Sequence, residues 1–237
     1  MTKAEKLQTI AENEPKVYEA GKKSQYDEFW DNYQQNGSRG SCEGIFSGNA
    51  WTEKTFKPKY DIVNFYNGMN IFWANSMAVD LVELLNELGI KLDFSNATNC
   101  TQAFNFSKFT RLGVINLCKA KDCTNTFSAM ENLVTIDKII VSATTVYNYW
   151  FNKTPNLENV IFEGEIANNG LNLQWSTKLS KASITSIINC LSTATSGLTV
   201  TLSKTAVESA FGSTTSTEWT TLVGTRFNWT ISLISLI

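Results

Sequence analysis

The sequence predicts an α/β fold: short parallel strands recurring along the chain and stacked as a solenoid, with helices or loops on the convex side. Three observations carry this. Phe104, Phe127 and Phe151 recur at intervals of 23 and 24 residues. Cys100 and Cys123 each stand four residues before one of these phenylalanines. Each phenylalanine is followed by a short apolar run: Leu112, Ile115 and Leu117; Leu133, Ile136, Ile139 and Val141; Leu157, Val160 and Phe162. A period in the low twenties, with one strand per unit, leaves each unit too small to fold alone, so stacking must supply the core.

Taken in order, residues 1–36 read as an N-terminal helical segment. Ala4, Leu7, Ile10 and Ala11 fall at helical spacing, Pro15 interrupts, and Tyr26, Phe29, Trp30 and Tyr33 line one face of a second run that Gly37 ends. An aromatic face of that kind must be covered, either by the body of the protein or by another copy, which would make a homo-oligomer. Residues 37–85 read as a loop-rich connector and N-terminal cap, with a short helix over 77–88 carrying Met77, Leu81, Leu84, Leu85 and Leu88 on one side. Residues 86–237 form the repeat domain. Ile90 to Phe94 is its first strand, with Lys91 and Asp93 on the outer face. Its last third alternates strand and helix: strands at 171–173, 198–202 and 228–233, helices at 183–191, 205–211 and 217–223. It reads as a terminal cap hiding the last apolar edge. The apolar tail Ile231 to Ile237 calls for a cover of its own.

Composition narrows the function. The 237 residues include 20 basic and 22 acidic side chains and no histidine. A net charge of −2 gives no reason to expect nucleic acid as a partner. Without histidine there is no Ser-His-Asp or Cys-His nucleophile and no histidine-ligated metal. Five cysteines form no Cys-x-x-Cys pair, and no cofactor or metal is assigned. Charged and amide residues break the most apolar window, Met69 to Leu85, so no membrane insertion is expected. The opening Met1 to Lys6 does not read as a signal peptide, which points to synthesis in the cytoplasm.

Asn132-Leu133-Val134-Thr135-Ile136 after Thr126-Phe127-Ser128, and Asn156-Leu157-Glu158-Asn159-Val160 after Trp150-Phe151-Asn152, resemble the BspA-like leucine-rich repeat. That repeat pairs a buried phenylalanine with a following Asn/Ser-Leu-x-x-Ile strand. The match is best over 100–163 and weaker from 86 to 202. The opening segment resembles the N-terminal part of proteins carrying such repeats in gut-bacterial prophages. The sequence departs from the longer asparagine-ladder consensus at Ala120, and the unit starting at Leu133 carries extra residues before Val141. The resemblance implies a non-catalytic binding protein, a phage tail-associated or receptor-binding component with a virion-associated location. A bacterial cell-surface adhesin is the alternative.

A stack of such strands at about 4.8 Å spacing spans roughly 29 Å, enough for a protein loop or a few sugar rings. The outward positions that could meet a protein or glycan are Lys91, Asp93, Asn116, Asn159, Ile161, Glu163, Asn172 and Gln174. They also have an ordinary reading as solvated surface. Tyr147-Asn148-Tyr149-Trp150-Phe151 crowds aromatics into one stretch. If that stretch is extended, Tyr147 and Tyr149 share the inward parity of Phe151, and Trp150 faces out with Asn148. Trp150 then either stacks on a sugar or packs between units. Glycoside cleavage needs two carboxylates about 5–10 Å apart. Asp93, Asp137, Glu158 and Glu163 are the available set, but no catalytic residue is assigned.

Overall fold

The computed structural model describes residues 46–48 and 62–236; the expected helical segment over 1–36 lies outside them. The described residues form a mixed α/β fold of short parallel sheets and helices. The strands are β1 (Ile62–Asn64), β2 (Lys91–Asp93), β3 (Arg111–Asn116), β4 (Thr135–Val141), β5 (Asn159–Gly164), β6 (Asn172–Leu173), β7 (Leu198–Ser203) and β8 (Trp229–Ile234). The helices are α1 (Leu81–Leu88), α2 (Lys181–Cys190), α3 (Lys204–Phe211) and α4 (Thr217–Gly224). Three sheets result, β1–β2, β3–β4–β5 and β6–β7–β8, and every pairing is parallel. No helix among the described residues is long and apolar enough to cross a membrane.

Opposite the strands the chain makes a series of stacked turns, each centred on a phenylalanine. The rings of Phe46, Phe72, Phe104, Phe127 and Phe151 lie face to face with successive centroid separations of 5.2, 5.3, 5.7 and 5.5 Å. All five are fully buried. The stack therefore continues N-terminal of residue 86, into the stretch read from sequence as connector. From Phe72 to Phe104 is 32 residues, against 24 from Phe127 to Phe151, and the eight residues of α1 match the excess. Asp80 starts that helix by accepting the Val82 and Glu83 amides at 2.8 and 3.0 Å, and Gly89, at φ 67°, ends it. The expected start at Met77 was early because Asp80 caps the helix.

The turns around Phe72 and Phe104 share one hydrogen-bond scheme. Around Phe104, the amides of Cys100, Gln102, Phe104 and Phe106 donate to the carbonyls of Asp122, Thr124, Thr126 and Ser128 in the next turn at 2.8–3.0 Å. The intervening amides of Ala103, Asn105 and Ser107 close three-residue bonds within their own turn. Alternate residues thus serve neighbour and self, which leaves few buried backbone groups unpaired. Four turns carry left-handed residues at two places four apart, Asn70 and Ala74, Gln102 and Phe106, Asn125 and Ala129, Tyr149 and Lys153, with φ between 53° and 61°, and in the first three these residues donate to the next turn. Such conformations cost about 1–2 kcal/mol for an L-residue, and in those three turns the bonds between turns offset them.

The middle sheet buries Leu112 and Ile115 of β3, Ile136 and Ile139 of β4, and Val160 and Phe162 of β5. Two residues separate the buried pair in β3 and β4, whereas only Ile161 separates it in β5, so the register shifts between Ile136 and Ile139. Of the extra residues anticipated between Leu133 and Val141, the structure shows one, relative to β5; β3 has the same spacing and pairs with β4 without a shift. Helices flank the sheet. α1 lies against β3, where Gly113 keeps clear of Val82; a Cβ there would sit 3.3 Å from the Val82 side chain. α2 occupies the place beside β5 that a further strand would take. The Val160 amide donates to Ser183 Oγ at 2.9 Å and the Phe162 amide to Ser186 Oγ at 3.2 Å, while Ser183 Oγ donates to the Glu158 carbonyl at 3.1 Å. Serine hydroxyls so satisfy an edge that would otherwise be open.

In the last third, strands and helices fall within a few residues of the expected positions, and β8 pairs with β7 over six residues. The apolar tail is thereby partly used: Ile231 and Leu233 pack against the core, while Ile234 and Leu236 stay exposed.

Candidate functional site

Two surfaces hold the outward-facing chemistry. The first is the outer face of β3–β4–β5. Arg111 grips Asp137 with two parallel bonds, 2.8 Å from Nε and 2.9 Å from Nη2, and lies 3.6 Å from Asp80. The guanidinium beside Asp137 is held more strongly protonated than usual by that bond and the adjacent charge. Lys138 Nζ meets Glu163 Oε2 at 2.6 Å, and Val114 stands 55% exposed among these charges. The face is a lattice of mutually satisfied ion pairs.

The second is a cleft of about 550 Å³ where the stacked turns meet the β6–β7–β8 sheet. One wall is the Phe151 turn, which presents Asn148, Tyr149 and Asn152. The other wall is the stretch Asn169 to Trp175, and Thr199 and Thr201 of β7 supply the floor beside it. Asn172 and Thr201 are register partners across β6 and β7. The geometry is held from both sides. Asn169 Oδ1 accepts the Thr199 amide at 2.7 Å, and Asn172 Oδ1 accepts the Gln174 amide at 2.9 Å. Asn168 ties the loop back by donating to the Ala143 and Thr145 carbonyls at 2.8 and 3.0 Å. Gly170, at φ 101°, lets the walls approach, since a Cβ there would lie 2.8 Å from Asn148 Oδ1. Tyr149 is 64% exposed at the lip. Among the described residues, no carboxylate, amine, guanidinium or thiol lines the cleft.

The sequence-derived positions are dispersed by the fold. Asn172 and Gln174 come together in the cleft. Asp93 and Asn116 end their strands, each accepting the amide two residues on, Ser95 at 2.9 Å and Cys118 at 3.1 Å. Lys91 is exposed at the start of β2, opposite Ile62, and Asn159 is exposed at the start of β5, opposite Thr135. Ile161 is half-buried, and Glu163 is engaged by Lys138.

Trp150 is a correction. It is fully buried, with ring centroids 5.0 Å from Tyr147 and 5.3 Å from Phe127, and stacks on Phe162 at 6.3 Å. The stretch is a turn rather than an extended strand, so Tyr147, Trp150 and Phe151 point inward and Tyr149 outward. Burial pushes the Tyr147 phenol above its ordinary range. Sequence reasoning gave no site role to Tyr149, Asn148, Asn152, Trp175, Thr199 and Thr201, although it set Asn148 outward. The signal for the first three was present, because amides flank the exposed tyrosine on the same turn.

Searches against family models, curated proteins and solved structures found no match. The site is therefore read from its own chemistry.

Proposed function

We propose that this chain is a non-catalytic recognition protein whose turns form a leucine-rich repeat solenoid, and that it binds a protein or glycan. The observation that carries the reading is the lining of the cleft. Among the described residues it offers side-chain amides, hydroxyls and two aromatic rings, and no carboxylate, amine, imidazole or thiol of the kind most catalytic centres are built from. The in-register turns and their phenylalanine stack support the repeat assignment. From the resemblance to BspA-like repeats comes the context, a phage tail-associated or receptor-binding component.

The test is binding of the labelled full chain to intact bacterial cells, untreated, protease-treated or periodate-treated. Saturable binding lost on protease treatment supports a protein ligand, and loss on periodate supports a glycan. Absence of saturable binding to any cell surface contradicts the reading.

A further inference from the structure

We infer that the cleft between the Phe151 turn and β6–β7 is a binding site for a short, uncharged oligosaccharide. This rests on the recognition reading above and names the ligand class for one site.

The lining favours an uncharged ligand: among the described residues it has no cationic side chain to pair with a phosphate, sulfate or uronic acid, and no carboxylate to pair with a metal ion or polyamine. What remains is a set of neutral groups that both donate and accept. The side chains of Asn148, Asn152, Gln174, Thr199 and Thr201 take no hydrogen bond from another described residue. An amide carries donor and acceptor within one plane, and a hydroxyl does so at one atom, which matches the dual character of a sugar hydroxyl.

The rings supply the complement. Tyr149 stands exposed at the lip and Trp175 is half-buried in the opposite wall. An aromatic face accepts the C–H face of a pyranose while its polar edge stays wet. The exposed position of Tyr149 is imposed by the turn, which places it in the left-handed region at φ 57°, where the three preceding turns carry Asn70, Gln102 and Asn125. A bulky aromatic is the departure from that series, and it falls in the turn that borders the cleft.

The site is also preformed. Asn169 and Asn172 are fixed through their oxygens, leaving their Nδ2 groups to donate, and Asn168 anchors the loop between them and the preceding unit. A volume of about 550 Å³ suits a short oligosaccharide more than a single ring. Preorganised polar groups keep the ordering cost of binding low.

The experiment probes the full chain on an array of neutral and anionic oligosaccharides, then titrates the best neutral member calorimetrically against wild type, Tyr149→Ala, Tyr149→Phe and Gln174→Ala, with thermal melts recorded for each. Binding to neutral members, weakened about tenfold or more by Tyr149→Ala and kept by Tyr149→Phe, is the expected result. Because the Tyr149 ring is exposed, its melt should stay at the wild-type temperature. Binding confined to anionic members, or unchanged in Tyr149→Ala, overturns the inference, as does a silent array. Cell binding that is saturable and protease-sensitive would then leave the recognition reading standing; loss of both overturns the two together.

Discussion

Asp137 and Lys138 are consecutive residues of β4, yet both lie on the outer face, and each pairs with a different neighbouring strand. Asp137 is held by Arg111 of β3 and Lys138 holds Glu163 of β5. The bulge shared by β3 and β4 makes this possible, because it places two residues between Ile136 and Ile139 where an ordinary strand would place one.

Both pairs are part-exposed, so they order the face more than they stabilise it. Arg111→Ala is expected to move the unfolding midpoint only slightly, and less at high salt. Denaturant melts at low and high ionic strength check this. Lys138→Glu should cost more than Lys138→Ala, because it sets a like charge against Glu163.

Gly164 ends β5 at φ 98°, and a Cβ there would fall 2.1 Å from the Val141 carbonyl oxygen. Gly197 also has a positive φ, 71°, but open space around it. Gly164→Ala should therefore destabilise by more than about 3 kcal/mol, and Gly197→Ala by only about 1 kcal/mol of backbone strain. Paired urea titrations separate the two.

The four described cysteines should react in an order set by burial. Cys100 and Cys123 are buried neighbours in the turn stack, and the Cys123 thiol is pushed far up by its hydrogen bond with Cys100 and by desolvation. Cys190 is raised by partial burial. Iodoacetamide at pH 8, read by peptide mass mapping, should label half-exposed Cys118 first and spare Cys100 and Cys123 until the chain unfolds.

Asp122 accepts the Thr124 amide at 3.0 Å, which holds its carboxyl below the ordinary range. A folded-state value depressed in this way contributes stability above the unfolded value of about 3.9, and loses it as pH falls through the folded one. Asp122→Ala should be less stable than wild type at pH 7, and the difference should vanish in acid below the folded value.

Much of this was legible in the sequence. The spacing of Phe104, Phe127 and Phe151 marks three rungs of the stack, and Cys100 and Cys123 mark the column beside them. Phe72 and Phe46 escaped notice because the insertion of α1 breaks the period. Trp150 was misplaced for a different reason: parity along an extended strand says nothing about a turn with left-handed residues at Tyr149 and Lys153. Asn172 and Gln174 were identified as outward, but the cleft they line depends on a turn more than twenty residues away and on β7, a juxtaposition no local pattern encodes. That α2 should stand in for a strand beside β5 was likewise hidden, since it rests on Ser183 and Ser186 reaching across to Val160 and Phe162.

The outer face and the cleft both take their positions from the stacked turns, so the central claim is that one buried phenylalanine column holds those turns together. Phe127 is the direct probe, fully buried between Phe104 and Phe151. Equilibrium denaturant unfolding of Phe127→Ala, followed by circular dichroism, should show a loss of about 3–5 kcal/mol. A midpoint unchanged from wild type would contradict the account, because no rung of a load-sharing stack can be emptied without cost.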